Sequence, residues 1–168
     1  MEYKEVEAIL AELHLIRPKD KPAFRSRLRV LRDIGVPSVP KPGKGSRVNY
    51  QFADLWEAHF GLKLQSFGLP PLRVMFLTTS ALGWLRLLRE QEKEKGADIW
   101  AYLSLSTRQD KAVDDDWMAS RTMVDTLDQI FLTIRRAESE RHPSMLTGLL
   151  NLSQLTRECE TAMTKRSK

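Results

Sequence analysis

Residues 17–50 read RPKDKPAFRSRLRVLRDIGVPSVPKPGKGSRVNY, and this stretch concentrates the chain's positive charge. It holds ten Lys or Arg (Arg17, Lys19, Lys21, Arg25, Arg27, Arg29, Arg32, Lys41, Lys44, Arg47) against two acids, Asp20 and Asp33. The local charge is +8 in a chain whose total is +5, so the remaining residues sum to −3. Segregated positive charge on a compact element marks a surface that meets phosphates or an acidic partner.

The stretch divides at its prolines and glycines. Pro22 suits the first position of a helix, and Gly35 followed by Pro37 ends one. Between them Phe24, Leu28 and Leu31 recur at helical spacing, and Arg25, Arg29 and Arg32 repeat that spacing one residue later. A row of guanidinium groups therefore lies beside the apolar seam. A solvated helix face would intersperse acids, and here Asp33 is the only one.

From Ser38 to Tyr50 the sequence SVPKPGKGSRVNY places the turn cluster Pro42-Gly43-Lys44-Gly45 between short extended segments. This pattern predicts a β-hairpin with Lys41 and Lys44 at its tip and Arg47 on its return strand. PGKGS contains a Gly-Lys pair, but it lacks the full spacing of a phosphate-cradling nucleotide loop and no β-branched strand leads into it.

Upstream, Tyr3, Val6, Ile9, Leu10, Leu13 and Ile16 predict an amphipathic helix over residues 2–16, closed by Pro18. The two helices have the outline of a helix-turn-helix, and the hairpin that follows has the position of a wing.

Downstream, a helix is expected over 51–67, where an aromatic-rich stripe (Phe52, Trp56, Phe60, Phe67) reads as core. A long helix is expected over 71–95, apolar around much of its circumference. Residues 98–107, DIWAYLSLST, alternate like a strand and have no identifiable partner in the chain. Asp114–Asp116 read as the N-terminal signal of a helix reaching Glu140 rather than as a cation site. His142-Pro143 breaks it, and a last helix is expected over 144–163.

Several function classes lose support. Cys159 is the only cysteine, so no internal disulfide forms. MEYKEVEAILAEL is acidic and periodic, unlike a signal peptide, and no apolar run is long enough to cross a bilayer, which points to a cytoplasmic protein. His14, His59 and His142 are far apart in sequence and lack metal-ligand spacing, and no nucleophile–base arrangement stands out. The reading is a non-enzyme with no cofactor and no metal.

The chain resembles the winged helix-turn-helix of MerR-type regulators over residues 3 to about 75. The resemblance is carried by Arg29-Val30-Leu31, which stands where that family has Arg-Tyr-Tyr, and by Ile34-Gly35-Val36 at the helix end. It continues through Gly45-Ser46-Arg47-Val48-Asn49-Tyr50 in the wing, Asp54-Leu55, and Phe67-Gly68-Leu69-Pro70. The resemblance implies a mainly α protein with an N-terminal winged helix-turn-helix over 1–70. Beyond it comes a helical dimerisation and regulatory region over 71–168 with one isolated strand.

On this reading a homodimer binds double-stranded DNA sequence-specifically to regulate transcription, with RNA polymerase as a further candidate partner. Lys21, Arg25, Ser26, Arg29 and Arg32 present the recognition helix to the major groove; Lys41, Lys44, Arg47 and Asn49 hold the backbone or minor groove. Two other readings stay open. One is a protein-interaction adaptor using the same basic face, and the other is an RNA-binding protein. Against RNA, Tyr50 and Phe52 are the only stacking aromatics near the basic stretch.

Overall fold

A computed structural model of the chain describes residues 1–39, 48–79, 81–105, 122–138 and 146–166. Its described part is mainly helical with one small antiparallel sheet, and it divides into two compact units: Met1–Leu87 with Leu155–Lys168, and Leu88–Gln154.

The first unit begins with α1 (Tyr3–Leu13), whose start is capped by Glu5: its carboxylate accepts the Glu2 N–H at 2.7 Å. α1 is shorter than its apolar periodicity predicts. The chain turns at Leu15, which adopts φ +52°, while the Ile16 N–H reaches back to the Ala11 carbonyl at 2.9 Å. A short 3-10 turn, Pro18–Asp20, leads into α2 (Lys21–Asp33), which carries Pro22 in its first turn. α2 ends in the same way as α1, with Gly35 at φ +83° and the Val36 N–H on the Leu31 carbonyl at 2.9 Å.

α3 (Phe52–Ser66) is the axis of this unit. It packs on α1 and α2, and α4 (Pro71–Thr78) packs on α2 and α3. α3 is buried on almost every side, with Leu55, Trp56, Phe60, Leu62 and Leu64 all at 0% exposure. Gly61 brings α3 close to α2: a Cβ there would stand 3.1 Å from Val36 Cγ1 and 3.2 Å from Leu31 Cδ2. The last helix, which returns to this unit from Leu155 onward, is fastened by the Trp56 indole N–H donating to Thr156 Oγ1 at 3.0 Å.

The single helix expected over 71–95 is two helices, α4 and α5 (Ala81–Lys95). The reason is visible at the end of α4. The hydroxyls of Thr78 and Thr79 donate to the carbonyls of Val74 and Met75 at 2.8 and 2.7 Å. Such back-bonding competes with the helix ladder.

In the second unit, the strand expected at 98–107 forms as β1 (Ile99–Leu105), but it is not isolated. It is the central strand of a three-stranded antiparallel sheet, between β2 (Thr122–Thr126) and β3 (Leu146–Asn151). Ala101 lies opposite Val124 on one side and Leu150 on the other. Ile99, Ala101 and Leu103 are buried at 3% exposure or less. Both partner strands fall where helix was expected. β2 alternates β-branched residues (Thr122, Val124, Thr126), and β3 contains Gly148, a weak helix former; both are too short for apolar periodicity to separate helix from strand.

Helix α6 (Leu127–Glu138) therefore begins directly after β2 and packs on β1 and β2, and its Ile130 is fully buried. The final helix, α7 (Leu152–Arg166), starts eight residues later than expected, where Asn151 Oδ1 accepts the Gln154 N–H at 2.8 Å. Around this start Asn151 Nδ2 also donates to Asp98, and the Ile99 N–H donates to Ser153 Oγ at 2.9 Å. Lys95 pairs with Asp125.

The wing tip and its cations Lys41, Lys44 and Arg47 lie outside the described residues, as do Asp114–Asp116 and His142. Among the described residues of the segment expected to form the wing, 38–39 and 48–50, no strand is formed. No helix of the described residues is long and apolar enough to cross a membrane.

Candidate nucleic-acid interface

The basic face rests on α2. Phe24, Leu28 and Leu31 turn inward at 3%, 6% and 1% exposure, and every site residue expected on this helix turns outward: Lys21, Arg25, Ser26, Arg29 and Arg32 are all exposed. The cations of α2 do not share one environment. On the α1 side, Arg25 Nε donates to Glu7 Oε1 at 2.7 Å, and the Arg32 guanidinium lies 5.9 Å from the centre of the Tyr3 ring. On the α3 side, Arg27 donates to the Leu62 carbonyl at 3.1 Å and is half-buried. That arginine fastens α2 to α3.

Between these flanks lies the outermost edge of the helix. Ser26, Arg29, Val30 and Asp33 are exposed and follow the i, i+3, i+4, i+7 spacing of a single stripe. Arg29 and Asp33 make no side-chain hydrogen bond or ion pair with any described residue. Val30 is 42% exposed, an apolar side chain amid cations.

The segment expected to form the wing is held at both ends. At its start, the buried Glu57 carboxylate of α3 accepts the Ser38 N–H at 2.9 Å and the Ser38 hydroxyl at 2.7 Å. Burial raises the Glu57 pKa, and the two Ser38 hydrogen bonds oppose that shift. At its end, the Tyr50 N–H donates to the Met1 carbonyl at 2.8 Å while the Met1 amino group donates to the Tyr50 carbonyl at 2.8 Å and Asn49 Oδ1 at 2.7 Å. Asn49 is exposed, but its side-chain oxygen is engaged in this latch. The Tyr50 ring stands 6.2 Å from the ring of Tyr3, so Arg32, Tyr3 and Tyr50 form a chain of contacts from α2 to the segment that precedes α3.

Sequence spacing could not reveal a second polar cluster. His59, fully buried on α3, lies 2.9 Å from His14 Nε2 through its Nδ1 and 3.1 Å from Glu158 on α7 through its Nε2. If Glu158 is ionised and both imidazoles neutral, one set of tautomers satisfies all three groups: His14 Nε2–H donates to His59 Nδ1, and His59 Nε2–H donates to Glu158. Burial, then the neighbouring His59 charge, lowers the His14 pKa to about 3. Burial also lowers that of His59, against the opposing hydrogen bond to Glu158. Neutral imidazoles in this arrangement tie the end of α1, the middle of α3 and α7 together.

Among the described residues no group of His, Cys, Asp or Glu could hold a metal ion. Burial first, then the neighbouring Glu158 and Glu160, pushes the Cys159 thiol up to about 12, so it offers no thiolate. The recess where α1, α2 and the wing meet, lined by Tyr3, Leu10, Leu31 and Tyr50 among others, has room for about one water.

No protein-family model and no curated protein matches the chain.

Proposed function

We propose that the chain is a sequence-specific double-stranded DNA-binding regulator of transcription. It acts as a cytoplasmic homodimer, with α2 in the major groove and the basic wing on the backbone or minor groove. The observation that carries this reading is the outward face of α2. Lys21, Arg25, Arg29 and Arg32 are exposed there on a helix whose opposite side is fixed in the core by Phe24, Leu28 and Leu31. A rigid, amphipathic, cation-bearing helix is suited to a groove lined by phosphates.

Pairing of two copies is supported by apolar surface beyond residue 70. Leu72 and Phe76 are 72% and 59% exposed on the outward face of α4, and Phe131 and Leu132 are 46% and 48% exposed on α6. Two modules related by a two-fold axis read two half-sites, so the operator of this protein is an inverted repeat. The transcription machinery is a further partner.

Selection from random duplex DNA tests the reading. Enrichment of an inverted repeat supports it; recovery of no preferred sequence overturns it and leaves a basic surface for a protein or RNA partner.

A further inference from the structure

Once the DNA-binding reading is granted, on which this inference rests, the geometry of α2 separates the residues that choose the sequence from those that hold the backbone. We infer that Arg29, Val30 and Asp33 read base edges, with Ser26 beside them, and that Arg25 and Arg32 contact phosphates.

The division follows from where each side chain leaves the helix. The core seam of Phe24, Leu28 and Leu31 fixes how α2 is rotated on its unit. The stripe Ser26–Arg29–Val30–Asp33 lies on the opposite side, so it projects furthest from the protein and reaches the groove floor first. Arg25 and Arg32 leave the helix on the flank beside α1. There Glu7 holds Arg25 through Nε, at 2.7 Å, and the Tyr3 ring underlies Arg32 at 5.9 Å. Groups on a flank meet the walls of the groove, which are phosphates. With Nε engaged, Arg25 still has its terminal nitrogens for a phosphate oxygen.

The chemistry of the stripe agrees with its position. Val30, at 42% exposure, has no packing role that explains an apolar side chain on a cationic face, and its methyls match the C5-methyl of thymine. Asp33 would be repelled by a phosphate, but at a base edge its carboxylate accepts from the exocyclic amino group of cytosine. Arg29, free of any ion pair with the described residues, is available to guanine O6 and N7. Each half-site should therefore contain a guanine, a thymine and a cytosine read within one face of the groove.

The test is the random-duplex selection repeated on the full chain with V30A, D33N, R25A and R32A, with binding of the parent's enriched duplex followed against salt. V30A and D33N should each relax the choice at one base position, losing discrimination by roughly 5- to 150-fold, with the salt dependence nearly unchanged. R25A and R32A should keep the parent's preferred sequence while weakening all duplexes alike and lowering the salt slope by about one. If V30A and D33N bind DNA with the parent's preference intact at every position, the assignment is overturned while the DNA-binding reading stands. If the parent itself enriches nothing, both fall together.

Discussion

The carboxylate of Glu57, buried on α3, accepts both the backbone N–H and the hydroxyl of Ser38, in the segment that follows α2. A single acid thus fixes the chain just beyond α2 to the helix that also supports α2. Removing it leaves two donors without their acceptor, at a cost of about 1–3 kcal/mol. Glu57→Ala should lower the urea midpoint by a corresponding amount. Glu57→Gln should retain most of the stability, because the amide oxygen still accepts the Ser38 N–H and the hydroxyl can rotate to accept from the amide nitrogen. Equal loss in both variants would show that the hydrogen bonds to Ser38 are not what Glu57 contributes.

The His14–His59 pair makes stability depend on pH with a defined sign. Both folded-state pKa values lie below the ordinary histidine value, so the unfolded chain binds more protons as pH falls. Their contribution is complete well above pH 6.5 and is lost progressively below it, continuing towards about 3 for His14. Urea midpoints should fall between pH 7.5 and pH 5.5, a window in which carboxylates of ordinary pKa remain ionised. The double variant His14→Gln, His59→Gln should show a much flatter profile. A parent protein equally stable at both pH values would contradict the buried neutral pair.

Leu15 occupies the left-handed region at φ +52° and is 88% exposed, so it bears a steric penalty that no burial offsets. Gly35 fills the corresponding place at the end of α2. Leu15→Gly should stabilise the protein by about 0.5–1 kcal/mol, because the relief of left-handed strain exceeds the extra chain entropy of glycine. A thermal melt should show a rise of roughly 1–4 °C. Leu15→Val should go the other way, since a β-branched residue tolerates that conformation less well.

Thr156 tests whether α7 belongs to the core of the first unit. Its hydroxyl accepts the buried Trp56 indole N–H at 3.0 Å, and a valine of similar shape cannot replace it. Thr156→Val should cost about 1–3 kcal/mol. The loss should appear as earlier exchange of amides in α3, as well as in α7. Loss of protection confined to α7 would separate that helix from the core of α3.

The limits of the sequence follow from the range of its signals. Helices α1, α2 and α3 are legible because apolar side chains recur at helical spacing and Gly35 ends α2; these are local features. The basic stretch and the outward placement of Arg25, Arg29 and Arg32 follow from the same periodicity. The end of α1 is not legible because Leu15 takes a backbone conformation that glycine usually marks. β2 and β3 escaped because a strand of five or six residues is defined by its partner, and β1 lies about twenty to fifty residues away in the chain. The same distance hides the buried cluster: His14, His59 and Glu158 are separated by 45 and 99 residues. It also hides the return of α7 to the first unit. Truncating the chain after Asp116 would therefore remove part of the first unit's own core along with the region proposed for pairing.

The most direct test of the central claim is an anisotropy titration of the selected duplex against a scrambled one of equal length and composition, at several salt concentrations. The account predicts that the selected duplex is bound about a thousandfold or more tightly at physiological salt, with two protomers per duplex. Equal affinity for both duplexes, collapsing together as salt rises, would contradict it.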